Sequence, residues 1–281
     1  MGPQRQPSSD GVEVAVHDLG GRPDGQPMLL VHATGFCAAV FRPLAAALGQ
    51  RFRCWAVDLR GHGETLTPPT VDYAWSGFAD DVLAALAVTE AAGARPVAMG
   101  HSSGGAAVLA AEAERPGTFA ALWCYEPIVW PDPAVAQERA ERLAAGARKR
   151  RGTFPSAEEA YANFSAKPPF SALAPEALRA YVEGGFAAGP DGAVSLRCRP
   201  EAEAAVYLRA VEGDRYRRLA EVGCPVVVAA GGRSDAITPG RAQALVDALP
   251  AGRLRVFDGL GHFGPLEDPP AVAAAVLADL P

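Results

Sequence analysis

Ser102, Asp235 and His262 are side chains of the types, and in the chain order, that nucleophilic catalysis by a serine requires. Ser102 is the central residue of G-H-S-S-G (100–104), which follows a short apolar run. A serine hydroxyl becomes a nucleophile when a base removes its proton and an acid orients that base. Asp235 and then His262 follow Ser102 in the order expected after a G-x-S-x-G turn, so the sequence predicts acyl transfer.

Either of two adjacent serines could be this nucleophile, and their neighbours favour Ser102. A sharp strand-to-helix turn strains the backbone of its central residue and admits only small residues on both sides. Gly100 and Gly104 stand at those positions around Ser102, whereas a turn centred on Ser103 would contain the bulky His101. We therefore predict that Ser102 is the nucleophile.

Two carboxylates compete for the role of orienting His262. The loop G-G-R-S-D places Asp235 among turn residues after one apolar run, and Glu126 ends another such run. Pro127 follows Glu126 and favours an extended backbone there, so we expect Glu126 to line the pocket and Asp235 to orient the histidine.

An oxyanion hole needs two backbone N–H donors close to the nucleophile. One is expected from Ser103, the residue after the nucleophile. The other is expected from the loop H-A-T-G-F, where Thr34 and Gly35 are the candidates. Both donors would face the oxygen that becomes negative during acyl transfer.

Alternating apolar runs and helix-length stretches predict a parallel sheet with helices on both faces. Strands are predicted at 12–17, 28–32, 52–58, 96–100, 121–126, 225–230 and 253–258. Helices are predicted at 76–92, 105–114, 239–249 and 270–280. Each predicted site residue then follows the carboxyl end of a strand, which is where parallel sheets of this kind bind their ligands.

The alternation stops between residues 131 and 218, where the sequence becomes charged and favours helices. We expect this segment to be a helical insertion over the sheet, with residues 1–130 and 219–281 forming the core. An apolar insertion above a polar site would exclude water from it. The expected pocket residues are Phe36, Glu126, Phe154, Tyr161, Phe164, Phe170 and Phe186.

Composition, charge and residue spacing argue against several kinds of partner and site. The net charge of −6 and the pI near 5.4 disfavour nucleic acid as a partner. No window is long and apolar enough for a membrane span, and the histidines lack metal-ligand spacing. Five scattered cysteines are typical of a reducing cytoplasm. We expect a cytoplasmic protein that acts on a small molecule without cofactor or metal; the sequence makes no prediction of its oligomeric state.

Five motifs together give the chain a resemblance to the α/β-hydrolase fold superfamily. They are V-H-A-T-G-F (31–36), D-L-R-G-H-G (58–63), G-H-S-S-G-G (100–105), G-R-S-D (232–235) and G-H-F (261–263). The resemblance implies a mostly parallel sheet of about eight strands, a helical cap, and Ser102, Asp235 and His262 as triad. One departure is His32-Ala33, where His-Gly is more common.

The resemblance leaves several functions open, because this fold supports more than one chemistry. Epoxide and haloalkane hydrolases of the fold use an aspartate where this chain has Ser102. We therefore expect hydrolysis of a small or medium apolar ester, lactone or thioester. The alternatives are hydrolysis of a carbon–carbon bond, a natural-product tailoring reaction, or a ligand-binding receptor with slow turnover.

Overall fold

The computed structural model describes residues 2–89, 94–209 and 213–280. Its strands are β1 (Gln4–Pro7), β2 (Glu13–Gly21), β3 (Gln26–Val31), β4 (Phe52–Asp58), β5 (Val97–His101), β6 (Leu122–Tyr125), β7 (Thr153–Phe154), β8 (Phe186–Ala188), β9 (Val194–Leu196), β10 (Val226–Gly231) and β11 (Gly252–Phe257). Eight of them form one sheet in the order β1-β2-β4-β3-β5-β6-β10-β11. β2 pairs antiparallel with both β1 and β4, and the remaining pairs are parallel. The predicted, mostly parallel sheet is confirmed.

Helices cover both faces of this sheet. They are α1 (Arg42–Leu48), α2 (Trp75–Ala85), α3 (Ser103–Glu114), α4 (Pro133–Arg148), α5 (Ala157–Ser165), α6 (Pro175–Gly185), α7 (Pro200–Arg209), α8 (Arg215–Arg218), α9 (Pro239–Ala248), α10 (Gly264–Glu267) and α11 (Pro269–Asp279). Alternate residues of β3 belong to two separate apolar clusters, Leu30 with α1 and α11 and Leu29 with α2 and α3. Strands buried on both faces explain the nearly continuous apolar runs of the sequence.

Two parts of the core differ from the sequence-based expectation. β1 was not expected, because its sequence Q-R-Q-P is polar and it lies exposed at the sheet edge. The helix expected at 76–92 is shorter, since α2 ends at Ala85 and a 3₁₀ turn, Leu86–Val88, follows. Residues 90–93 of that expected helix lie outside the described residues.

The segment between β6 and β10 contains α4 to α8 and a small antiparallel sheet in the order β7-β9-β8. We call residues 131–218 the insert. Its strands have two or three residues, too few for a repeating apolar pattern, so the sequence indicated only helices there. The division of the chain into the insert and a core of 1–130 with 219–281 stays a prediction; residues 210–212 and 281 lie outside the described part.

Candidate active site

Ser102 lies in the turn between β5 and α3 with φ +56° and ψ −112°, a conformation that side-chain-bearing residues rarely adopt. The neighbouring glycines make this turn possible. A Cβ atom on Gly100 would lie 2.5 Å from the carbonyl oxygen of Gly104, and one on Gly104 would overlap the carbonyl of Val31. The Ser102 N–H donates to the carbonyl of Tyr125 at 2.9 Å, which ties the turn to β6.

His262 lies in the loop between β11 and α10, and its ring contacts two of the candidate residues. Its Nε2 lies 3.2 Å from Ser102 Oγ, and its Nδ1 lies 2.6 Å from Glu126 Oε2. Since a carboxylate oxygen accepts, the hydrogen is on Nδ1 and the Nε2 lone pair faces the serine hydroxyl. This tautomer is the one that a general base requires.

The loop that carries His262 is fixed by hydrogen bonds on both sides. The carboxylate of Glu267 accepts from the N–H of Gly261 at 2.9 Å and from that of Phe263 at 3.1 Å. His101 Nε2 lies 2.8 Å from the carbonyl oxygen of His262, and because a carbonyl only accepts, the imidazole donates. Burial and the neighbouring His262 lower the pKa of His101 well below its ordinary value, so His101 stays neutral.

Glu126 is fully buried directly after β6, and its carboxylate accepts several hydrogen bonds. Oε1 accepts from the N–H of Gly231 at 2.9 Å. Oε2 accepts from Ser234 Oγ at 2.7 Å and from the N–H of Ile237 at 3.3 Å, in addition to His262. These donors compensate for the loss of water around a buried carboxylate and fix its direction.

The expectation that Asp235 contacts His262 is wrong, because Glu126 occupies that position. The Asp235 side chain is 93% exposed, and its carboxylate lies 3.8 Å from a guanidinium nitrogen of Arg139. Pro127 does not hold Glu126 in the expected extended conformation: Glu126 has φ +46°, a backbone conformation that a following proline was expected to oppose.

Of the predicted oxyanion donors, Gly35 is excluded by its own hydrogen bond. Its N–H donates to His62 Nε2 at 2.9 Å, while His62 Nδ1 lies 2.9 Å from the carbonyl of Arg60. Burial lowers the pKa of His62 to about 3, so the ring stays neutral and can accept this hydrogen bond. Gly35 therefore shapes the loop, and its N–H already donates to His62.

Thr34 and Ser103 are the other two predicted donors, and the structure shows no acceptor for their N–H groups in the described ranges. Ser103 is the first residue of α3, where backbone N–H groups have no acceptor within the helix. Thr34 is buried beside the cavity, and its N–H has no acceptor among the residues that the structure describes. Its hydroxyl is likewise buried without a partner in the described ranges.

A cavity of about 620 Å³ opens above Ser102 and His262, between the strand ends and the insert. Of the expected pocket residues, Phe36, Phe164 and Phe170 line this cavity. The others do not line it: Glu126, Phe154, Tyr161 and Phe186. Phe154 and Phe186 are buried behind the wall, where each packs against Phe164.

Sequence reasoning missed several residues of the site. Ser234, the residue before Asp235, is one of them, although the sequence shows a hydroxyl in that loop that could donate to a buried acid. Two further residues line the cavity: Arg139 on α4 and Trp130 just before that helix. No local sequence motif marks either of them. In the described ranges no group of three or more His, Cys, Asp or Glu could bind a metal ion, and no helix is long and apolar enough to span a membrane.

Comparisons with known proteins agree with this architecture. A family model described as the alpha/beta hydrolase family matches residues 28–275. The 2-(acetamidomethylene)succinate hydrolase of Mesorhizobium japonicum is 40% identical over 92 residues, which is 33% of this chain and 32% of that protein. The alignment thus spans about a third of the length of that curated relative.

Two solved structures are similar in fold over nearly the whole chain. A crystal structure of E-2-(acetamidomethylene)succinate hydrolase has a TM-score of 0.83 at 23% identity, covering 98% of this chain and 97% of the other. A thermophilic esterase from Thermogutta terrifontis with malate bound has a TM-score of 0.74 at 24% identity, covering 99% and 97%. At these identities the likeness concerns the fold.

Proposed function

Because the chain belongs to the alpha/beta hydrolase family, we propose that it hydrolyses acyl bonds with Ser102 as nucleophile, His262 as general base and Glu126 as the orienting acid. The observation that carries this proposal is the imidazole of His262, which lies 3.2 Å from Ser102 Oγ on one side and 2.6 Å from Glu126 on the other. The arrangement has the three groups, in contact, that serine catalysis needs.

In the first half of the reaction, Ser102 Oγ forms a bond to the acyl carbon as its proton moves to His262 Nε2. Glu126 stabilises the imidazolium that results, since its carboxylate accepts the Nδ1 hydrogen. The N–H groups of Ser103 and Thr34 donate to the carbonyl oxygen as it becomes negative. The bond from the acyl carbon to the leaving group then breaks, and Nε2 returns its proton to that group.

In the second half, water attacks the ester between the acyl group and Ser102. His262 Nε2 takes a proton from the water and gives it to Ser102 Oγ as the ester bond breaks. The carboxylic acid leaves, and the enzyme regains its starting protonation. The whole reaction consumes one water for each acyl bond, and every proton transfer uses a group that is present in the site.

The cavity supports a small or medium substrate with an apolar part. Phe36, Phe170 and Phe263 line the same cavity as Ser102, and Phe36 stacks on Phe170 with ring centroids 5.4 Å apart. The compared proteins are named as a hydrolase of an acetamido compound and as an esterase. We therefore propose an ester, thioester or amide acyl bond beside an apolar group.

A serine-directed phosphonate tests this proposal. We expect mass spectrometry to find the adduct on Ser102, and Ser102→Ala to remove the label and lower kcat by about 10⁶-fold. Ser103→Ala is the matched control: it keeps the backbone N–H, so it should keep the label and most of the activity. An adduct on Ser103, or no adduct on either serine, would refute the proposal.

A further inference from the structure

The cavity wall carries far more positive than negative charge. Six cationic residues line it: Arg139, Arg142, Lys149, Arg150, Arg151 and Lys167. Two acidic residues line it, Glu203 and Asp235. The whole chain has a formal charge of −6, so the excess of cations around the cavity is a local feature. Such a concentration of one sign favours ligands of the other.

Three of these cations have partners within the insert. Arg150 forms an ion pair with the buried Glu203 and donates to Tyr181 Oη at 2.6 Å. Lys167 donates to the side chain of Asn163 at 2.7 Å. Arg151 donates to the carbonyl of Thr153 at 2.8 Å, and its guanidinium lies over the ring of Phe154. Their contacts are explained by the structure of the insert.

Arg139 differs, because it is largely buried and incompletely paired. Its side chain is 19% exposed, and its contacts with Asp235 are a carboxylate oxygen at 3.8 Å and a carbonyl oxygen at 3.3 Å. A guanidinium has five N–H donors, so most of them remain for a ligand. The partner carboxylate is 93% exposed, which makes this ion pair weak and easily displaced.

The surroundings of Arg139 add to its need for an anion. Arg139 and Arg241 both lie over the ring of Trp130, at 5.8 Å and 5.5 Å from its centroid. Burial lowers the pKa of Arg139, as do the charges of Arg142 and Arg241, and the carboxylates of Asp235 and Glu126 offset this only in part. An anion placed here would replace lost solvation and offset the repulsion between the arginines.

We propose that Arg139 binds an anionic oxygen group of the substrate, a carboxylate or a phosphate, and that the enzyme prefers acyl substrates that carry one. This inference rests on the proposed function, since Arg139 lines the same cavity as Ser102 and His262. The substrate then has its acyl bond at Ser102, an apolar part against the phenylalanines, and an anion at the α4 side. The planar guanidinium matches both groups, because each offers two oxygens to a pair of N–H donors.

Matched p-nitrophenyl esters test the inference. The substrates are the p-nitrophenyl monoester of glutaric acid, its methyl-capped neutral counterpart, and p-nitrophenyl 4-phosphonobutanoate. We expect kcat/KM for one or both anionic esters to exceed that for the neutral ester by about 10- to 100-fold, the size of a hydrogen bond to a charged group. The better of the two anionic esters identifies the preferred group.

Arg139→Gln should remove most of this preference and leave only the smaller part that the other cations of the wall contribute. Arg139→Lys should restore part of what is lost, because the charge returns without the planar fork. Arg148→Gln is the control, since Arg148 carries the same charge on α4 but lies outside the cavity and pairs with Glu201. Hydrolysis of all three esters that depends on Ser102 but is indifferent to charge would overturn this inference alone. Hydrolysis of none, with no phosphonate adduct, would overturn the proposed function and the inference with it.

Discussion

The ends of β6 and β10 carry the two carboxylates that compete for His262, and they differ in burial and in hydrogen bonding. Glu126, after β6, is fully buried and accepts hydrogen bonds from the β10 end. Asp235, in the loop after β10, is 93% exposed and lies beside Arg139. The loop that was expected to carry the acid instead supplies donors to an acid from the neighbouring strand. The identity of the orienting acid therefore depends on which carboxylate the surrounding donors stabilise.

The largest expected effect is a difference in kcat between the variants in which Glu126 or Asp235 is replaced by its amide. Glu126→Gln should lower kcat by about 10⁴-fold, because the amide no longer supports the imidazolium and favours the wrong tautomer. Asp235→Asn should change kcat only severalfold with a neutral ester, since its side chain faces solvent. Steady-state kinetics on folded variants measures both. Equal losses in the two variants would mean that burial does not distinguish these acids.

Three buried histidines should make the free energy of unfolding depend on pH. Burial lowers the pKa of His32, His62 and His101, so the unfolded chain gains protons below about pH 6.5 that the folded chain does not. Stability should therefore be full above this pH and fall as pH decreases, by up to about 1.4 kcal/mol per pH unit for each histidine.

Urea unfolding between pH 7.5 and 5 measures this dependence. His101→Gln keeps a donor for the carbonyl of His262 but cannot be protonated. In this variant the free energy of unfolding should therefore change less steeply with pH, by up to the contribution of one histidine. Equal unfolding free energies across this range would show that the three rings are not held neutral in the folded state.

The smallest expected effect is that of removing the Ser234 hydroxyl, which lies in the same loop as Asp235 but contacts Glu126. The hydroxyl donates to Glu126 at 2.7 Å, so Ser234→Ala removes one of the groups that fix the carboxylate. We expect kcat to fall by about tenfold, the lower value for a hydrogen bond to a charged group. Asp235→Asn, one residue away, is the control, and an equal decrease there would assign the effect to the loop as a whole.

Sequence reasoning succeeded where the determining contacts are local. The turn around Ser102 is specified by Gly100 and Gly104, and the parallel strands by apolar runs. The predictions failed where a contact between residues far apart in the chain determines the direction of a group. The N–H of Gly35 is occupied by His62, and the direction of Glu126 is set by Ser234. The contact of Gly35 leaves no pattern in the neighbouring residues, and the contact of Ser234 is marked only by a hydroxyl beside Asp235.

The hydrogen bond from His262 Nδ1 to Glu126 is the contact on which the proposed mechanism depends most. Proton NMR of the enzyme with ¹⁵N-labelled histidine tests it directly, because a short hydrogen bond of 2.6 Å to a carboxylate moves its proton far downfield. We predict that this Nδ1 proton resonance is present in the wild-type enzyme and in Asp235→Asn, and absent in Glu126→Gln. A resonance that survives in Glu126→Gln and disappears in Asp235→Asn would show that Asp235, and not Glu126, accepts this hydrogen bond.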